Sequence, residues 1–240
     1  MKNVDKKVVE DFGDEWLLFD QSCLSTEERL QHFNSYFDIF PWDSLPIDPI
    51  GFDAGCGSGR WAYLVAPRVG ALHCIEPSKS INVAKSNLSN YQNCEYHNVT
   101  IDKIPMKDGS MDFGYSLGVL HHIPDVQQAM NDCVKKLKTG APFLIYIYYK
   151  FDNKPIWYRY LWNVSDVVRK VVSNLPTKIR YLVTQFIAFL IYYPFARFAY
   201  FLEKFGFDVS NFPLSTYRNR SFYSMRTDAL DRFGTRLEHR

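Results

Sequence analysis

What the chain has little of narrows its class first. Net charge is small: 28 Lys+Arg against 26 Asp+Glu leave +2 over 240 residues. No basic run gives the electrostatic footprint of a nucleic-acid binder, so no polyanionic partner is expected. Cysteine is sparse and scattered. Cys23, Cys56, Cys74, Cys94 and Cys133 are odd in number, with neither a C-x-x-C pair nor ligand-spaced histidines. That pattern argues against a zinc site and fits the reduced thiols of a cytoplasmic protein. The opening MKNVDKKVVEDFGDEW lacks the apolar core of a secretory signal. Uninterrupted apolar runs of the roughly 20 residues that a spanning helix needs are also missing. The most apolar stretch, Tyr181 to Ala196, is broken by Thr184, Gln185 and Pro194 and closed by Arg197. It reads as a buried or lid helix in preference to a membrane-surface anchor through 181–201.

What the chain does have is apolar and aromatic bulk, 47% and 17% of its residues, enough for a globular core. Its length suits one large α/β domain with elaborations. Residues 1–49 read as a helical preface: a Ser25-Thr26-Glu27-Glu28 start opens a helix from Thr26 to Phe37, and Pro41, Pro46 and Pro49 mark an extended connector. From Ile50 short apolar strands alternate with helical segments. Strands are expected at Ile50–Asp53, Ala71–Glu76, Cys94–Val99, Met111–Leu117 and Pro142–Tyr149, with helices at Arg60–Val69, Lys79–Asn87 and Val126–Leu137. Such alternation implies crossover units and a Rossmann-like, doubly wound, mostly parallel sheet over 50–150. Beyond it, residues 151–240 read as a helical cap, with helices at Ile156–Lys170 and Tyr181–Phe205 and an irregular stretch from Gly206 to Arg220.

The most informative turn is Asp53-Ala54-Gly55-Cys56-Gly57-Ser58-Gly59, which follows a strand and opens a helix. Glycines at alternate positions allow a sharp bend and close approach of a ligand to the main chain. The third glycine comes one residue earlier than in the dinucleotide fingerprint G-x-G-x-x-G, and an acid precedes the first by two. A carboxylate there disfavours a diphosphate and suits a cationic ligand. Glu76 ends the second strand 17 residues after Gly59, where a carboxylate can accept from both hydroxyls of a ribose.

Together with the segment Gly118-Val119-Leu120-His121-His122-Ile123-Pro124-Asp125, these motifs resemble the class I S-adenosylmethionine-dependent methyltransferases, in particular the small-molecule group of methyltransferase type 11. The resemblance covers Ile50 to Tyr149. It implies that Asp53, Ala54, Gly55, Cys56, Gly57 and Gly59 line the amino-acid part of the cofactor, that Glu76 and Pro77 hold its ribose, and that Thr100 and Ile101 take the adenine positions. An uncharged threonine there departs from the family's usual aspartate. Ser116, Leu117 and Gly118 would touch the methionine portion. His122 is a candidate base, against which stands the plainer reading of a histidine packed in its turn. The implied cofactor is S-adenosyl-L-methionine, with S-adenosyl-L-homocysteine as product and no metal.

The implied acceptor is a small molecule, free or linked to a sugar or lipid, contacted by the preface and by aromatic residues such as Tyr146, Tyr148, Trp157 and Tyr158, against which stands the plainer reading of a cap that needs aromatic bulk to bury itself. A non-catalytic cofactor-binding protein and a nicotinamide-dependent oxidoreductase are the alternatives. Phe12-Gly13-Asp14-Glu15-Trp16 resembles a short element of some sugar-linked methyltransferases, although an amphipathic helix whose Trp16, Leu17 and Phe19 pack on the sheet is the preferred reading. The family's sheet normally gains two more strands at its end. After Tyr149 no strand pair is expected, and Asp231–Arg240 reads as the entry to another helix-and-strand unit. The last parallel strand would then present an exposed edge, open to self-association.

Overall fold

In the computed structural model, which describes residues 3–239, local sequence fixes the helix starts. Asp5 caps α1 (Lys6–Leu18) by accepting from the N–H groups of Lys7 and Val8, and Ser25 caps α2 (Thr26–Phe37) by accepting from Glu28. Five strands follow with their crossovers: β1 (Ile50–Ala54), α3 (Ala62–Val65), β2 (Ala71–Ile75), α4 (Ile81–Asn87), β3 (Cys94–His97), β4 (Phe113–Leu117), α5 (Val126–Val134) and β5 (Phe143–Tyr146). Every pairing is parallel, in the order β3-β2-β1-β4-β5. β4 is buried at all five positions and β1 at four of five, as expected for central strands covered on both faces. The sheet is the doubly wound one that the alternation predicts, and the structure is Rossmann-like.

Strand alternation divides the core in two. Phe52, Ala54 and Ile75 pack on one face with Leu120, Ala129 and Cys133. Leu72, Cys74, Phe113 and Tyr115 pack on the other with Trp61, Val65 and the α2 side chains Phe33 and Phe37. The preface therefore supplies part of the core. By proximity the chain forms two compact units, one running to Tyr149 and taking in the residues from Leu237, the other Lys150–Arg236.

The second unit is helical: α6 (Ile156–Val172), α7 (Thr177–Ile187), α8 (Tyr193–Lys204) and α9 (Phe222–Gly234). Met225, Ala229 and Phe233 of α9 pack with Val172, Ala188, Tyr192 and Ala196. The helix expected over Tyr181–Phe205 is present and starts earlier: residues 188–192 form a π-turn, so α7 and α8 run on through Pro194 as one helix from Thr177 to Lys204. A wider turn before the proline accommodates its ring and its missing N–H. One feature differs from expectation. Asp231–Gly234 is the end of α9, which Ser221 caps, and no strand follows among the described residues. The chain returns instead to the first unit, where the His239 N–H donates to the His121 carbonyl (2.9 Å). β5 pairs only with β4 among the described strands.

Candidate functional site

The order β3-β2-β1-β4-β5 reverses direction between β1 and β4, and loops leaving the carboxyl ends of those strands border a crevice where open α/β sheets bind ligands. The glycine turn leaves β1 on one side and Gly118 follows β4 on the other. Gly55, Gly57 and Gly59 have φ of +85°, +54° and +77°, left-handed values that only glycine adopts cheaply. The N–H groups of Gly55 and Cys56 both donate to the Ile75 carbonyl (2.8 and 3.0 Å), fastening the turn to the end of β2.

Glu76 completes that fastening. Its buried carboxylate accepts from the Gly57 N–H (3.1 Å) and the Ser78 N–H (2.9 Å). Burial raises its pKa, and these bonds pull it back. Asn98 donates to the main-chain oxygens of Glu76 and Ser78 (2.8 and 3.1 Å), tying the end of β3 to the same place. Asp53 is 1% exposed, and its Oδ2 has no hydrogen-bond partner. Burial pushes its pKa up to about 8, Glu76 adds to the rise, and the Tyr115 hydroxyl and Arg60 oppose it. The two acids are thus near neighbours at one end of the sheet. A buried carboxylate oxygen without a donor, next to a turn stripped of side chains, fits a ligand bearing positive charge and N–H donors.

The remaining expected residues are placed as follows. Ala54 is fully buried, and its carbonyl accepts from Ser116 Oγ (2.8 Å), which uses the serine hydroxyl to join β1 to β4. Cys56 is buried and Pro77 half-buried. Leu117 packs in the core. Gly118, at φ +77°, is different: a Cβ there would meet nothing within 4 Å, so the open room of the site lies beside it. Ile101 is a core residue, and Thr100 precedes it at the start of a short 3-10 turn, so Ile101 can offer a ligand only its main chain. His122 is 5% exposed; its Nδ1 lies 2.7 Å from the Leu237 carbonyl, and its ring packs on Phe12 (4.9 Å) and His121 (4.0 Å). Those are the contacts of a histidine packed in its turn.

The helix read as packing Trp16, Leu17 and Phe19 on the sheet converges here, with Phe19 buried but Leu17 half exposed. Along α1, Phe12 meets His122, Gly13 lies against Ser78 and Lys79, Asp14 pairs with Lys79, and Trp16 stands over Gly57. The Arg60 guanidinium stacks 5.1 Å from the Trp16 ring. The spacing Phe12, Gly13, Trp16 is one helical face, the signal by which the sequence could have shown that α1 covers the turn. Sequence spacing also hid a cluster on β2 and β3. His73 Nδ1 lies 3.0 Å from His97 Nε2 and 3.3 Å from Glu95 Oε2, because parallel strands set His73 beside Glu95 and His97 two positions on. These three could offer donors to a divalent cation. The imidazoles already bond to each other without one, and burial holds both below their usual pKa.

Residues 52–145 match the family model described as "Methyltransferase domain". Among solved structures, a chain from the complex between the Haloferax volcanii Trm112 methyltransferase activator and a methyltransferase is 19% identical, with 65% of this chain and 66% of that chain covered and a TM-score of 0.51. The YcgJ protein of Bacillus subtilis is 21% identical, with 61% of this chain covered and a TM-score of 0.47. The match spans 60% of the length of the Bacillus chain. No curated protein matches.

Proposed function

We propose that the protein, whose residues 52–145 match the family model described as "Methyltransferase domain", is an S-adenosylmethionine-dependent enzyme that moves a methyl group from S-adenosyl-L-methionine to a small-molecule acceptor, free or linked to a sugar or lipid. The observation that carries the reading is the joining of Gly57 to Glu76 (3.1 Å) beside the buried, donor-seeking carboxylate of Asp53. The cofactor supplies a methyl carbon made electrophilic by a sulfonium, so that in-line displacement leaves S-adenosylhomocysteine.

The chain's own residues have three tasks. Glu76 binds the ribose hydroxyls while its N–H bonds hold it in place, and Asp53 accepts from the ammonium end. The main chain at Gly55, Gly57 and Gly118 lets the ligand lie close, Thr100 and Ile101 border the adenine, and α1 with Trp16 excludes water from the turn. Positioning of this kind supplies several kcal/mol of a barrier reduction. The acceptor side is marked by aromatic rings near the end of β5: Tyr36 meets Trp61 and Tyr146 (both 5.0 Å), and Tyr148 lies on His121 (3.9 Å). A ring-stacking or amphipathic acceptor suits them. All five cysteines are free thiols, which supports a cytoplasmic setting.

Calorimetric titration tests the reading. S-adenosylhomocysteine is expected to bind one to one, NAD not at all, and Glu76→Ala to weaken binding by about two orders of magnitude, the loss of two hydrogen bonds to a charged group. Binding of NAD in place of the thioether overturns it. Incubation with methyl-labelled cofactor, followed by partition of the label between organic and aqueous extracts, sorts the acceptor classes.

A further inference from the structure

A soluble helix normally turns one apolar face to a core and a polar face to water. The helix Thr177–Lys204 does not. Its inner face, Arg180, Thr184, Ala188, Tyr192, Ala196 and Ala199, is buried, several of these packing with α9. Its outer face carries Leu182, Phe186, Leu190 and Phe201, each more than half exposed, with Phe186 and Leu190 at 63%. α6 repeats the pattern, with Ile156, Tyr160, Val164, Val167 and Val171 exposed at helical spacing. Of the thirty exposed large hydrophobic side chains among the described residues, twenty-one lie between Ile156 and Phe207. Scattered apolar surface is ordinary; this concentration is what marks an interaction face.

Charge identifies what covers it. Residues 150–236 hold 14 Lys+Arg against 6 Asp+Glu, a net +8, while the rest of the chain is net −6. The overall +2 conceals this asymmetry. Lys150, Arg159, Lys170, Lys178 and Lys204 are exposed, together with the interfacial types Trp157, Tyr160, Tyr193 and Tyr200. A second copy of this unit would bring +8 against +8, and an acidic protein would leave the aliphatic stripe unmatched. A surface that is anionic outside and hydrocarbon within satisfies both.

We propose that the helical unit 150–236 seats on an anionic lipid surface, with the exposed faces of α6 and of the Thr177–Lys204 helix laid along the headgroup boundary. Thr177–Lys204 is long and apolar enough to cross a membrane, but its inner-face arginines favour a place along the surface. Arg180 on its inner face donates to the carbonyls of Ser173 and Gly234, and Arg197 to those of Arg218 and Arg220. Immersing the helix would strip it from those partners. The inference is independent of the catalytic reading.

Flotation with vesicles tests it, using the full chain. Phosphatidylcholine vesicles containing phosphatidylglycerol are expected to carry the protein, pure phosphatidylcholine vesicles much less, and raised salt to release it. Lys178→Gln and Lys204→Gln should each weaken binding about fivefold. Phe186→Glu with Leu190→Glu should weaken it by at least tenfold while far-UV circular dichroism, melting temperature and S-adenosylhomocysteine affinity stay unchanged. No binding of well-folded protein to anionic vesicles overturns the proposal. So does binding indifferent to these substitutions, or a dimer that the Phe186 and Leu190 substitutions dissociate without any lipid effect.

Discussion

Asp53 carries a consequence for pH. Its carboxyl has an ordinary value of 3.8 and in the fold is raised to about 8, chiefly by burial. Between these limits the native chain keeps a proton that the unfolded chain has released, so rising pH favours unfolding. The contribution is intact below 3.8 and is lost as pH passes about 8. Glu76, also raised, acts in the same sense. Asp53→Asn should therefore flatten the fall in melting temperature over this range, measured by scanning calorimetry at stepped pH. A cationic ligand beside Asp53 favours its ionised form, so cofactor binding at pH 7 should release protons, read from titrations in two buffers of different ionisation enthalpy. At His122 the expectation is different. Because its Nδ1 is engaged with the Leu237 carbonyl and its ring lies under Phe12, His122→Gln should lower the melting temperature and change kcat by less than about tenfold, where loss of a true base costs 10² or more.

At the scale of elements, the glycine turn and its neighbours separate folding from binding. A Cβ on Gly57 would lie 2.8 Å from Trp16 Nε1, with the backbone already left-handed. Gly57→Ala should cost about 1–3 kcal/mol of stability by chemical denaturation. Gly118 shares the backbone conformation but faces open space. Gly118→Ala should lose only about 1 kcal/mol and yet weaken S-adenosylhomocysteine binding at least as much as Gly57→Ala. The strands and the turn were legible in the sequence because β-branched and aromatic runs, glycine spacing and strand-end acids are local signals. α9 was not: several of its buried positions, Ser224, Thr227, Ala229 and Gly234, are small or polar and mark no apolar stripe, and Ser221, its cap, follows a stretch of turn residues. The role of α1 was legible only in part: Phe12, Gly13 and Trp16 share one helical face, but that this face meets Gly57, 41 positions on, is a long-range contact the spacing does not name. The helix over Tyr181–Phe205 was legible as one apolar stretch, but the π-turn at 188–192 that carries it past Pro194 has no sequence signature of its own.

Over the whole molecule, a five-stranded parallel sheet ending in β5 leaves one side of that strand without a described strand partner. Ile147, just past the strand, is 39% exposed. Sedimentation velocity should show concentration-dependent association, and Ile147→Lys, a charge of the kind that guards natural edges, should reduce it. A sedimentation coefficient constant over a wide concentration range would refute the edge as a contact.

The chain leaves the sheet-bearing unit at Tyr149 and re-enters it at Leu237, where the last described residues are stitched to the histidine turn. The helical unit is thus an excursion with two leashes, both anchored in one body. If the excursion rests on a bilayer, the body that carries the glycine turn is tethered to that surface through two lengths of chain. Its search for an acceptor then becomes a glide in two dimensions.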